Sequence, residues 1–275
     1  PARPRPTVLA AVALVATALA GPLTPAPAEA QLADSTRSLL GDAELGARLV
    51  GHGLTAPTRW TAAQWLTIPA AAGVLALVTT IDDDVEHLAE TNQGPVGDAW
   101  FGALEPFGQE YSIPLVLALY AGGAAFDQPG LRRTAVEAAA ASIVAAGIVT
   151  PSLKVLSGRT RPREDRGQYE FDPLSGARSF PSGHTTQAFA LASVFAAESD
   201  SWVVDALVYT VAASVGGARI YHDAHWLSDV VAAAAIGTVV GHTVVRRSHE
   251  LTGTTEPLIG SGAAGVSLGV RIPVR

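Results

Sequence analysis

Six stretches of the chain, about 61–81, 112–126, 134–156, 185–197, 202–217 and 229–245, are apolar almost without interruption. Ala, Val, Leu and Gly fill them without the period-two alternation that marks strands, so each reads as a helix. Pro69 and Pro151 fall inside two of the six and predict kinks or local breaks, because proline removes a helical N–H donor. Residues 31–58 are more polar and predict a short helix over 35–50 followed by a loop. Between the first two apolar stretches an acidic connector opens on Asp82-Asp83-Asp84. It carries Trp100, Phe101 and Leu104, the apolar face of one short amphipathic helix. The tail beyond Arg247 is rich in Gly and Thr, and 266–275 alternates like a single strand. The pattern predicts an all-α protein: a helical bundle of about six core helices over 59–248. An N-terminal segment (31–58) precedes it and a tail (249–275) follows.

Composition raises the question of a membrane. Charged residues are 16% of the chain, against about 25% in ordinary soluble domains. Only the first and third stretches, however, reach the ~20 residues that a bilayer span requires. A membrane-embedded bundle and a soluble exported one both remain open on the pattern. Residues 1–30 predict a signal peptide: Arg3 and Arg5, an apolar run over 8–20, and Ala28-Glu29-Ala30 as a cleavage site. An uncleaved anchor is the alternative. The chain is thus expected in a bacterial-type cell envelope, either membrane-associated with its site facing the periplasm or soluble in the periplasm. Charge bias favours spanning, since Arg132-Arg133 and Arg246-Arg247 mark one side and Asp82-Asp83-Asp84 the other. Counting crossings from an exported Gln31 nevertheless puts the aspartates inside and Arg132-Arg133 outside, against that rule. The net charge of −7 gives no basic face for nucleic acid. The absence of cysteine excludes disulfides, thiolate catalysis and Cys-held metals.

Three polar clusters interrupt the apolar sequence between 154 and 229. The first, Lys154-x6-Arg161-Pro162, holds the only lysine against 17 arginines, and Arg159, Arg161, Arg163, Arg166 and Arg178 follow within 25 residues. Lys154 and Arg161 near a helix end can aim an ammonium and a guanidinium at one anion. The second, Pro181-Ser182-Gly183-His184, opens an apolar helix. Ser182 is a candidate N-cap, Gly183 admits a ligand to the backbone, and the helix-start N–H groups form an anion site beside His184. The third, Arg219-x5-His225-x3-Asp229, puts His225 and Asp229 on one helical face. There the carboxylate can fix the tautomer that leaves the other imidazole nitrogen nucleophilic. Each cluster also has a plainer reading: a solvated basic loop, a capped helix with an incidental histidine, a structural His–Asp pair. A metal site of His222, His225 and Asp229 is a further alternative, although three nearby cations suit an oxyanion better than a metal.

In order and spacing the three clusters resemble the signature of the type 2 phosphatidic acid phosphatase superfamily, which also includes bacterial acid phosphatases and vanadium haloperoxidases. One position departs: Ala218 stands where that pattern has serine before the arginine. The resemblance covers about 61–247. It implies an all-helical bundle with the active site at one end, hydrolysing a phosphomonoester or diphosphate, lipid or small organic, with neither metal nor cofactor. By the same resemblance His225 is the nucleophile that takes the phosphoryl group and Asp229 orients it. His184 protonates the leaving oxygen and then activates water. Lys154, Arg161, Ser182, the Gly183 N–H and Arg219 hold the non-bridging oxygens. Arg159, Arg163 and Arg178 are read as solvated loop, with help to a diphosphate or a lipid headgroup as the alternative, and His222 and Asp223 as candidates for the entrance. Vanadate-dependent halide oxidation and a non-catalytic membrane bundle are the competing functions.

Overall fold

The structure, a computed structural model, describes residues 28–253, with side chains from 38 onward, and the backbone of two strands in the tail. The signal peptide expected over 1–30 lies outside the described residues, apart from the backbone of 28–30. All six apolar stretches are helices. In chain order the elements are α1 (Ala28–Thr55), α2 (Ala62–Thr79), α3 (Asp82–Thr91), α4 (Pro95–Leu104) and α5 (Ser112–Ala125). They continue with α6 (Pro129–Ser142), α7 (Thr150–Ser157), α8 (Gly183–Ala197), α9 (Trp202–Tyr221) and α10 (Leu227–Thr252).

Neither proline ends its helix, and at one of them the helix changes type. Helix α2 runs through Pro69 without a break. Upstream of Pro151 the chain stays helical but widens to a π-helical segment, Ile143–Val149, which joins α6 to α7 as one long helix. A π segment shifts the hydrogen-bond register, so the missing proline N–H is absorbed by a change of helix type. The acidic connector holds two helices rather than one. Asp82, Asp83 and Asp84 form the first turn of α3, where carboxylates suit the positive end of the helix dipole. Trp100, Phe101 and Leu104 lie on α4. In the tail, Leu258–Gly262 pairs antiparallel with Gly265–Gly269.

Helix α8 is the axis of the bundle, with Thr185, Thr186, Ala188, Ala190, Leu191, Ala192, Ser193, Val194 and Phe195 all buried. Small residues let its neighbours approach. A Cβ on Gly241 of α10 would stand 1.9 Å from Ser193 Oγ, and one on Gly237 2.5 Å from the Thr186 carbonyl. Backbone contact this close is the packing that membrane helices use, where burying apolar surface supplies no drive between helices. The outside of the bundle agrees. Helix α2 has no buried residue, and Trp65, Leu66, Ile68, Val74 and Leu77 all stand exposed. Ile113 and Leu117 of α5, Leu207 of α9 and Val239 of α10 extend the apolar surface. Four helices, Ala62–Thr79, Pro129–Ser157, Trp202–Tyr221 and Leu227–Thr252, are long and apolar enough to cross a bilayer. The chain is a helical membrane protein.

Because successive helices alternate in direction, the ends of α2, α7 and α9 meet the starts of α8 and α10 at one end of the bundle. Asp82, Arg159 and Ser228 are joined there. Arg133, Glu198 and His249 are joined at the other end.

Candidate active site

The three sequence clusters occupy four helix termini and one loop. Lys154 lies in the last turn of α7, which ends at Gly158 with φ +54°. A Cβ there would collide with the Asp172 carbonyl at 1.7 Å, so the sharp exit to Arg159 requires glycine. Arg161 precedes a single turn, Pro162–Glu164. Ser182 and Gly183 begin α8, and Lys154 Cε lies 3.9 Å from where a Gly183 Cβ would be. Arg219 lies in the last turn of α9, and a tight turn through Asp223 (φ +50°) leads to His225 and α10. Both Ala224 and His225 donate their backbone N–H to the Arg219 carbonyl, at 3.0 and 3.1 Å. These two bonds tie Arg219 to the two residues that follow the turn.

His225 and Asp229 form the buried centre. His225 Nδ1 stands 3.3 Å from Asp229 Oδ2. The same oxygen accepts from Ser179 Oγ at 2.5 Å and from the Trp226 N–H at 3.1 Å. With a carboxylate on Nδ1, the proton belongs on that nitrogen and Nε2 keeps its lone pair. Burial lowers the His225 pKa to about 4; Lys154 and Arg219 add to the depression and Asp229 opposes it. The imidazole is therefore neutral near pH 7. His184 is lowered as well, mainly by burial, with Glu110 opposing and Lys154 and Arg161 contributing. Lys154 thus acts on both histidines, Arg161 on His184 and Arg219 on His225.

Arg159 corrects the sequence reading. It is no solvated loop residue: its side chain is fully buried. Its Nη1 donates to Asp229 Oδ1 and to Ser228 Oγ, both at 2.7 Å, and its Nη2 to Asp82 Oδ2 at 2.7 Å. Asp82 in turn accepts the Ser228 N–H and hydroxyl, at 2.8 and 2.5 Å. The guanidinium thus ties the head of α3 to the head of α10 and fixes the second oxygen of Asp229. The rings of Phe171 and Trp226 flank it at 5.1 and 5.4 Å. Arg163 and Arg178, by contrast, are exposed.

Two of the expected phosphate ligands are occupied by protein groups. Lys154 Nζ donates to the carbonyls of Arg178 (2.7 Å) and Ser179 (3.0 Å). Arg219 Nη1 donates to Glu105 Oε1, whose other oxygen lies 2.8 Å from His222 Nδ1. Ser182 is placed as an N-cap, but its buried hydroxyl accepts from Thr185 Oγ1 at 2.9 Å instead of from a backbone N–H. Ala218 is fully buried. His222 faces Glu105 and not the His225–Asp229 pair, so those three do not converge as a ligand set. Asp223 ties the loops together, its carbonyl accepting the Arg163 N–H at 3.3 Å. Sequence reasoning missed Asp82, Glu105, Ser179 and Ser228. Ser228, adjacent to Asp229, and Ser179, two residues before Pro181, lie close enough to a motif to have drawn notice.

Comparison with known proteins places this arrangement in context. The model of the PAP2 superfamily matches residues 136–252. A lipid A 1-phosphatase of Rhizobium etli is 28% identical over 201 residues, 66% of this chain and 82% of that protein. One from Porphyromonas gingivalis is 45% identical over 82 residues, 27% of this chain and only 18% of that protein's length. Among solved structures, a transmembrane PAP2 type phosphatidylglycerolphosphate phosphatase from Bacillus subtilis has the same fold. Its TM-score is 0.56 at 18% identity, covering 68% of this chain and 94% of that one.

Proposed function

The chain is a member of the PAP2 superfamily, and from that premise we propose that it is a lipid phosphate phosphatase working without a metal through a phosphohistidine. The observation that carries the reading is the buried, neutral His225. Its Nδ1 is held by Asp229, and its Nε2 is free to act among Lys154, Arg161 and Arg219. His225 Nε2 attacks phosphorus while His184 gives its proton to the leaving oxygen. His184, now a base, then draws a proton from the water that cleaves the phosphorus–nitrogen bond. The charge that spreads over the three equatorial oxygens in such a transfer needs positioned cations more than covalent help. The phosphate displaces the Arg178 and Ser179 carbonyls from Lys154 and shares Arg219 with Glu105.

The relatives named as lipid A 1-phosphatases point to a glycolipid phosphate of that kind as the first substrate to try. The exposed apolar faces of α2 and α5 favour delivery from the bilayer. Lysine- and arginine-rich ends stay in the cytoplasm. The Arg132-Arg133 and Arg246-Arg247 pairs therefore orient the opposite end, with the phosphate cage, to the periplasm.

The test is phosphate release from a lipid A 1-phosphate and from p-nitrophenyl phosphate in detergent, with EDTA present, over minutes and well below the unfolding temperature. Activity should survive EDTA and be blocked by orthovanadate. His184→Ala should lose far more on the lipid than on p-nitrophenyl phosphate, whose leaving group needs little acid help. Prompt loss of activity in EDTA, or equal losses on both substrates, contradicts the mechanism.

A further inference from the structure

At the arginine end of the bundle, four ionisable side chains from three helices meet in the packed interior. Glu137 of α6 is fully buried, Glu198 closes α8, His249 lies in the last turn of α10, and Arg133 stands one turn before Glu137. The fifteen-residue α8 separates them from His184 by about 20 Å at 1.5 Å per residue, so the proposed reaction uses none of them.

Glu198 has strong partners. Arg133 Nη2 donates to Oε2 at 2.7 Å, and His249 Nε2 lies 2.5 Å from Oε1. Glu137 differs. Neither of its oxygens makes a hydrogen bond of good geometry; the Ser248 hydroxyl and the Glu198 carboxylate lie beside them, and Arg133 Nε approaches Oε1 only to 3.5 Å. A buried carboxylate in that condition is costly unless a cation or a proton meets it. One ligand atom each from Glu137, Glu198 and His249 all lie within 4.8 Å of one another. Small side-chain movements bring three such atoms to the ~2.0–2.2 Å of a zinc-type ion.

We propose that Glu137, Glu198 and His249 form a structural site for a divalent transition metal of the Zn2+ class. The ion staples α6, α8 and α10 at the end of the bundle opposite the phosphate cage. One imidazole with two carboxylates suits Zn2+ or Mn2+ and not the oxygen-seeking Mg2+ or Ca2+. The ion takes the place of the proton between His249 Nε2 and Glu198 Oε1, so His249 binds as the neutral ring with its proton on Nδ1. Arg133, on the other Glu198 oxygen, orients the ligating carboxylate from outside the coordination shell.

The experiment uses the full chain in detergent with any affinity tag removed, dialysed against Zn2+ and then against metal-free buffer. Elemental analysis should find about one zinc per chain, as a preformed site of this kind predicts. A strong chelator should lower the unfolding temperature, and Zn2+ but not Mg2+ should restore it, since an ion bound only by the folded state stabilises it. The near-isosteric Glu137→Gln should stay folded and active while losing both the zinc and the chelator response, and Glu198→Gln should do the same. Wild-type chain without zinc, or with an unfolding temperature indifferent to chelator and Zn2+, overturns the proposal and leaves a proton-sharing cluster. Full zinc retained in folded Glu137→Gln overturns it as well. Both readouts are independent of phosphate hydrolysis, so failure here leaves the phosphatase reading untouched, and failure there leaves the metal site untouched.

Discussion

Arg159 joins more of the site than any motif residue. With Asp82 and Asp229 on either side, it is one cation between two buried carboxylates. Arg159→Met removes the shared partner and leaves both charges unmatched, a change that costs about 3–5 kcal/mol in buried pairs. The expected result is a large drop in unfolding temperature together with loss of turnover. Arg159→Lys should rescue little, because an ammonium lacks the planar fork that reaches both carboxylates. The two histidines set a pH profile. His225 must be neutral to attack, so kcat/KM should rise with pH through about 4. His184 must be protonated to assist departure, so activity should fall as pH rises through a value below its ordinary 6.5. An acidic optimum between these limits is predicted, and His184→Gln should remove the alkaline limb in a kcat/KM profile. His225, Asp229, His184 and the proposed cage cations could be picked out as candidates from the sequence because each motif fits in a short window. The Arg159 network was hidden for the converse reason: its partners lie 77 and 70 residues away. A charged residue in an arginine-rich loop also gives no local sign of burial.

At the scale of elements, apolar runs located every core helix. Their ends were blurred, because polar terminal turns such as 246–252 of α10 carry no apolar signal. Helix α2 continues through Pro69, and the irregularity expected near Pro151 takes the form of a π segment, 143–149, which leaves no trace in composition. The tight α8–α10 contact was invisible for a related reason, since glycine in an Ala-rich helix looks the same whether it faces lipid or a neighbouring backbone. Gly241→Leu forces a side chain into Ser193 and should destabilise by about 1–3 kcal/mol, the usual cost of overpacking. Gly73→Ala in α2 meets nothing within 4 Å and should stabilise by up to about 1 kcal/mol through helix propensity. Thermal unfolding of the two variants beside the wild type checks both signs.

For the whole molecule, the charge rule and the alternation of the helices are both consistent with the proposed orientation. Six helical segments that alternate in direction, α2, α5, α6–α7, α8, α9 and α10, put both arginine pairs at one end of the bundle and Asp82 at the other. The crossing count that conflicted with the charges assumed Gln31 outside; in the proposed orientation Thr61 starts on the arginine side. A topology reporter joined after Arg133 or Arg247 should report the cytoplasm and one within 165–176 the periplasm. The reverse pattern contradicts the orientation. Charge and hydropathy in the sequence supply the basis of that proposal. What they could not carry was the placing of α3 and α4 against α10 and α9, which depends on Asp82–Ser228 and Glu105–Arg219 contacts between distant parts of the chain.

The most direct test of the central claim is chemical trapping of the phospho-enzyme. Wild type and His225→Ala would be mixed with a 32P-labelled lipid phosphate in EDTA and quenched within milliseconds, above and below neutral pH. The account predicts a label on wild type that survives alkali, is lost in acid, and is absent from His225→Ala. Turnover by wild type with no such label, or a label that persists without His225, would contradict it.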